Sequence, residues 1–230
     1  MAFELPIDEV MPQVIMALRS RGRVVLQAPP GAGKTTRVPL AMLAADITPG
    51  RILMLEPRRL AARAAAERMA ASAQTRIEVV TEGILTRMLQ EQPDLPGIGA
   101  VIFDEFHERS LNADLGLALC LEVADALRDD LLLVAMSATL DAAPVADLMD
   151  APIITSEGRA FEVTPHWLNK PLGNARFEQA VADLVLHALE TAPGSALVFL
   201  PGEGEIRRVE AALKDRVPRD CTLAPLFGAL

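Results

Sequence analysis

The sequence predicts an α/β protein built on a parallel sheet with helices on both faces, and three observations carry that prediction. Short apolar runs alternate with longer segments of helical period, the pattern of successive βαβ units. The apolar runs lack in–out alternation, as strands buried on both faces should. Hydrophobic residues make up 51% of the 230 residues and aromatics only 3%. Such a core must be built from Ala, Leu, Val, Ile and Met, which suits Ala-rich helices lying on aliphatic strands.

In chain order, residues 24–28 read as a strand and 34–45 as a helix, then 51–56 as a strand and 58–71 as a helix. Residues 77–80 form a strand before a helix over 82–90. Residues 100–104 form a strand before a helix over 111–127, and 131–136 is again a strand. Beyond Asp150 the pattern restarts. Residues 152–155 and 162–166 read as extended, 177–190 as helical and 196–200 as a further buried strand, and Gly202-Glu203-Gly204-Glu205 opens a helix reaching about Lys214. Apolar periodicity lapses at Ser156-Glu157-Gly158-Arg159, which sets a boundary there: one domain over 1–157, and a second unit over 158–230 with too few strands to close a sheet.

A net charge of -9 argues against a surface that is basic all over, so any nucleic-acid site must be local. Cys120 and Cys221 lie far apart without CxxC or CxxH spacing and read as reduced, inert thiols. The N-terminal residues lack a basic stretch followed by an apolar one, and no apolar run approaches the roughly 18 residues that a membrane span requires. A soluble cytoplasmic protein is expected.

The chemistry is concentrated at two strand ends. After the strand ending at Gln27 comes Ala28-Pro29-Pro30-Gly31-Ala32-Gly33-Lys34-Thr35-Thr36, which fits the phosphate-loop pattern G-x-x-x-x-G-K-[ST] except that Ala28 replaces its first glycine. Glycines let successive backbone N–H groups turn inward, and the helix that follows offers its positive end to phosphate. Lys34 can reach β/γ oxygens and the Thr35 hydroxyl can ligate Mg²⁺, so the nucleotide contacts expected are Pro30, Gly31, Ala32, Gly33, Lys34, Thr35 and Thr36. A second carboxylate is needed from a neighbouring strand, and Asp104-Glu105 stands at the end of Val101-Ile102-Phe103. Adjacent carboxylates at a strand end are costly without a cation. Asp104 is therefore expected to hold magnesium with Thr35, and Glu105 to orient and deprotonate an attacking water. ATP and Mg²⁺ are the cofactors implied.

Further motifs resolve the class. Glu56-Pro57-Arg58-Arg59-Leu60-Ala61-Ala62-Arg63, Thr81-Glu82-Gly83-Ile84-Leu85, Asp104-Glu105-Phe106-His107-Glu108-Arg109-Ser110 and Ser137-Ala138-Thr139 occur in an order that resembles the superfamily 2 helicases of the DEAH/DExH type. Asp-Glu-Phe-His followed by Glu-Arg-Ser-Leu looks most like the bacterial HrpB-type ATP-dependent RNA helicases. The resemblance implies a P-loop RecA-like sheet followed by the start of a second RecA-like domain. It implies that Arg58 and Arg59, then Thr81, Glu82 and Gly83, touch the phosphates of a single strand of RNA, with DNA left open, and that Arg68 stacks on the adenine. It also makes His107, Ser137, Ala138 and Thr139 the link between the γ-phosphate site and domain closure, with Lys34, Asp104, Glu105 and His107 the catalytic set. His166 and His187 read as incidental. Leu197-Val198-Phe199-Leu200-Pro201-Gly202 with Glu205-Ile206 resembles the first strand and helix of the second RecA-like domain, and Pro225-Leu226-Phe227-Gly228-Ala229-Leu230 the family's LYGxL segment, with Phe for Tyr.

Two departures accompany the resemblance. Family members continue into motifs that supply an arginine finger, a group worth on the order of 10³ to 10⁵ in rate. This chain alone is therefore expected to bind nucleotide far better than it turns nucleotide over, and not to unwind duplexes. Relatives also carry a longer insert between Arg68 and Thr75, with a Val-Gly-Tyr strand and an arginine, where this chain runs straight from Met69 to Gln74 and contains no tyrosine. The sheet has one strand fewer here or the sequence omits residues. The competing class is an ATP-switched binding or scaffolding module without nucleic-acid activity, which the acidity favours.

Overall fold

The computed structural model describes residues 5–57, 76–138, 142–158, 163–168 and 176–227. By internal contacts the chain divides into two units, Met1–Phe161 and Glu162–Leu230. The first holds a six-stranded, all-parallel sheet of order β3-β2-β4-β5-β1-β6. Its strands are β1 (Arg23–Gln27), β2 (Arg51–Leu55), β3 (Ile77–Val80), β4 (Ile98–Phe103), β5 (Leu132–Ser137) and β6 (Ile153–Thr155). Its helices among the described residues are α1 (Met11–Arg21), α2 (Lys34–Ala44), α3 (Glu82–Glu91), α4 (Leu111–Ala126) and α5 (Ala143–Met149). This is the α/β RecA-like fold expected from the sequence.

The missing alternation in the strands has a direct cause. Val24 and Leu26 of β1 face a core formed with α1 and α2, while Val25 between them faces a second core formed with α3, α4 and α5. In β2, Ile52 and Met54 enter the first core and Leu53 and Leu55 the second. Both faces are covered, so the consecutive positions 24–26 and 52–55 are all apolar and buried.

Three elements lie outside the segments read from the sequence. A 3-10 turn over Pro6–Val10 leads into α1, which ends at Gly22 in a left-handed conformation (φ 70°), and α5 follows β5. The cues for α1 were a Pro near its start, Val14, Ala17 and Leu18 at helical spacing, and glycine just past its end. β6 is short, pairs with β1 alone and closes that edge of the sheet.

The second unit holds α6 (Phe177–Thr191) and α7 (Glu203–Leu213), which pack through Ala182, Val185, Val209 and Leu213. Residues 196–200 correct the expected buried strand. They are irregular, and Leu197 and Phe199 are 77% and 87% exposed. A strand is held by neighbours that accept its ladder hydrogen bonds, and no described residue of this unit forms one. The expected extended stretch 162–166 is likewise irregular at 163–166, with Val163 exposed. The helix expected at 58–71 lies outside the described residues, as does the shortened 69–75 segment. No helix among the described residues is long and apolar enough to cross a membrane.

Candidate functional site

β1, β4 and β5 are neighbours in register, Gln27 opposite Ser137 and Phe103 opposite Ala135, so the residues that follow their carboxyl ends converge on one corner. Such a strand-end crevice is where open α/β sheets bind ligands. The loop after β1 reaches α2 through Gly31 (φ 77°) and Gly33 (φ 97°), the latter being the N-cap of α2. A side chain on Gly33 would be strained and would drive its Cβ to 2.5 Å from Leu5 Cδ1. Ala28, at the pattern's first glycine, is buried and has no positive φ, so a Cβ is tolerated there. Its amide donates to the Ser137 carbonyl at 3.0 Å, tying the loop to β5. Lys34 is 4% exposed and its Nζ donates to the carbonyls of Ala28 at 2.7 Å and Pro29 at 3.3 Å, which sets the ammonium over the loop.

Opposite the loop stands Asp104, 2% exposed, with both oxygens engaged. Thr35 Oγ1 donates to Oδ2 at 2.6 Å and the Glu105 amide donates to Oδ1 at 2.8 Å. The magnesium pair named from the sequence is thus in direct contact. Among the described residues no three His, Cys, Asp or Glu are grouped as a self-sufficient cage. A hydroxyl and one carboxylate facing a phosphate loop nonetheless fit magnesium, which takes one or two carboxylates and completes its shell with phosphates and water.

Glu56 is the member of this corner that the sequence reading left without a role. It follows β2, its amide donates to the Val80 carbonyl, and its side chain is 5% exposed beside Asp104. Burial first, then the Asp104 charge and a hydrogen bond to it, push the Glu56 carboxyl up to about 8. Its Oε2 is buried without a hydrogen-bond partner among the described residues. A carboxyl buried beside a second carboxylate keeps its proton more readily than it adds a second charge. The signal was available: Glu56 ends an apolar strand and opens the Glu-Pro-Arg-Arg motif.

Residues 105–110 cross the top of β4 and β5. Glu105 and Arg109 are left-handed (φ 47° and 50°), a conformation uncommon away from glycine, and they bracket a 3-10 turn over Phe106–Glu108. Buried Phe106 meets Phe103 edge-on at 6.0 Å. His107 Nδ1 lies 3.3 Å from the Ala138 amide and 3.3 Å from Glu105 Oε2. One nitrogen serves one partner at a time: unprotonated it accepts from Ala138, protonated it donates to Glu105. Thr139 lies outside the described residues, and Ser137 is buried at the end of β5.

Of the expected strand contacts, Arg58 and Arg59 lie outside the described residues, as does Arg68. Thr81 caps α3, and Glu82 and Gly83 form its first turn. Nothing lies within 4 Å of where a Gly83 Cβ would be, so the backbone there can be approached. The Glu82 carboxylate, by contrast, accepts from the Ser110 hydroxyl.

Sheet order and the strand-end corner define a RecA-like α/β domain. Over nearly its whole length the chain is similar to the N-terminal part of the HrpB-type ATP-dependent RNA helicases. It is 47% identical to the ATP-dependent RNA helicase HrpB of Escherichia coli over 98% of this chain and 30% of that protein. It is 31% identical to the rat ATP-dependent RNA helicase DHX30 over 92% of this chain and 22% of that protein. Two crystal structures of E. coli HrpB, one described as a DEAH/RHA helicase and one as a DExH-box NTPase, superpose with TM-scores of 0.90 and 0.79 at 48% identity. They cover 99% and 100% of this chain, and 32% and 31% of theirs. No protein-family model matches. The chain spans under a third of the length of the curated relatives it matches. The HrpB alignment runs over 247 residues against 230 here, so that relative carries additional residues within the shared span.

Proposed function

We propose that this chain is the nucleotide-binding portion of an ATP-dependent RNA helicase, residues 1–157 forming the ATP-binding domain and 158–230 part of a second RecA-like domain. The observation that carries the reading is the 2.6 Å contact between Thr35 and Asp104 beneath the loop that holds Lys34. A triphosphate draws the Lys34 ammonium from the loop carbonyls to its β/γ oxygens, and the amides of residues 30–36 and the start of α2 receive the remaining charge. Thr35 and Asp104 would hold magnesium, which neutralises phosphate charge when bound. Glu105 orients the attacking water and accepts its proton. His107 moves between Glu105 and Ala138 as that charge changes, passing the state of the site to the end of β5. A single strand is gripped through phosphates by Arg58, Arg59 and the turn at Thr81–Gly83, and Arg68 stacks on the base of the nucleotide. Such a protein works in the cytoplasm.

The test pairs two titrations. A fluorescent ATP analogue with Mg²⁺ should bind, and Lys34→Ala should weaken it at least about tenfold by removing a charge-assisted bond to phosphate. A short oligouridylate should bind more weakly as salt rises, and replacing Arg58 and Arg59 by Ala should flatten that dependence. Nucleotide binding with no salt-dependent RNA binding would leave an ATP-switched module instead, and no nucleotide binding would sink both readings.

A further inference from the structure

The RNA-gripping turn contains a carboxylate, Glu82, which would repel the phosphates it is meant to hold. We propose that the Glu82 carboxylate is not an RNA ligand. Ser110 is a positioning residue that holds the Glu82 carboxylate and thereby couples the nucleotide site to the strand-gripping turn. The inference rests on the helicase reading and deepens it.

The path is continuous through named contacts. It starts at Asp104, whose carboxylate meets Thr35 of the phosphate loop and the Glu105 amide. It runs through the 105–110 segment, in which Glu105 and Arg109 hold the left-handed conformations on either side of the 3-10 turn. Residues that bracket a turn in strained conformations can absorb a change of backbone angle more easily than the strand and helix beyond them. The turn also has room, because a cavity of about 90 Å³ lined by Phe106, His107, Arg109, Ser137 and Val145 lies against it. Arg109 itself is steadied by Asp114 at 3.0 Å and by the Phe106 ring at 5.6 Å.

The segment ends at Ser110, the N-cap of α4, whose hydroxyl does two jobs. It accepts from the Ala113 amide at 3.0 Å, which closes the first turn of α4, and it donates to the Glu82 carboxylate in the first turn of α3. The two helices also pack closely: a Cβ on Gly116 of α4 would stand 3.1 Å from Leu85 Cδ2 of α3 and 3.6 Å from Phe103 Cε1. Displacement of the 105–110 segment therefore moves the cap of α4 and, through Glu82, the start of α3. With its carboxylate turned to Ser110, the turn presents the backbone N–H groups of Glu82 and Gly83 to a phosphate.

Ser110→Asp separates the two jobs. Aspartate caps a helix as well as serine does, but it cannot donate and it places like charge beside Glu82; Ser110→Thr keeps both functions. The measurement, on the full-length protein, is the affinity for a fluorescent oligouridylate with and without saturating ATP and Mg²⁺, beside the affinity for ATP without RNA. The wild type and Ser110→Thr should show RNA affinity changed by ATP at least about fivefold, a usual size for coupled sites. Ser110→Asp should bring that ratio close to one and leave ATP binding without RNA unchanged. A wild-type ratio in Ser110→Asp overturns the inference and leaves the helicase reading intact. Loss of ATP affinity together with the ratio overturns it as well, because Ser110 would then be structural. Absence of RNA binding in the wild type fails the helicase reading first and this inference with it.

Discussion

The two units are built of similar aliphatic residues and differ in what those residues achieve. In the first, Leu53 at the centre of β2 is fully buried between paired strands and beneath helices. In the second, Leu197 lies in a run of equal apolarity and stands 77% exposed. The lesson is that an apolar run becomes a strand only where neighbours take its hydrogen bonds and helices cover its faces. α6 and α7 need less: they bury one stripe against each other and are clipped by Arg208 to Glu178 at 2.7 Å and Arg216 to Asp183 at 2.6 Å. Exposed, solvent-screened pairs of this kind contribute little, so the packing of the stripe matters more.

The largest test of this contrast is Leu53→Ala, which should cost roughly 2–5 kcal/mol by opening a cavity between the β2 ladder and the helices over it. Denaturant unfolding of the first unit measures it. A loss within about 0.5 kcal/mol would mean that this face relaxes like a surface.

A second test concerns the charge buried in the first unit. Glu56 has a carboxyl raised from 4.5 to about 8 in the folded chain. The unfolded chain releases this proton near 4.5, so between about pH 4.5 and 8 the folded state holds more protons and loses stability as pH rises; outside that window the contribution is flat. The fall should total at most about 5 kcal/mol, and Glu56→Gln should flatten the profile of melting against pH measured without metal or nucleotide. A rise through the window would overturn the assignment.

The smallest expected effect is Leu197→Ala, within about 0.5 kcal/mol because an exposed side chain leaves no cavity. A cost near that of Leu53→Ala would show that residues 196–200 are covered in solution and would remove the contrast between the units.

Much of the first unit was legible because its local signals agree. Apolar runs of strand length, helical period between them and a Gly-Lys-Thr turn all point to one parallel sheet, and the strand ends follow the apolar runs to within a few residues. Lys34, Thr35, Asp104, Glu105 and His107 were named from motifs, and the structure brings them to one corner. α1 carries local cues too, a proline near its start and Gly22 just past its end, but they are weaker than the strand-and-motif pattern that follows. The strand at 196–200 was read wrongly for the opposite reason: its composition is right, but pairing is a property of its neighbours.

The sequence alone determined the class of sheet and the glycine-bounded turn that opens α2 at Lys34, because each depends on residue types at short spacing, where backbone geometry leaves few alternatives; that Asp104 meets Thr35 was an expectation from its place after an apolar run. Only the tertiary structure decided that Glu56 shares a corner with Asp104, that Ser110 holds Glu82 and that 196–200 stays unpaired. The first two are relations between residues 48 and 28 apart and the third is a lack of neighbours, all set by strand order and helix packing, and residues so far apart carry no mark of their proximity until the sheet is assembled.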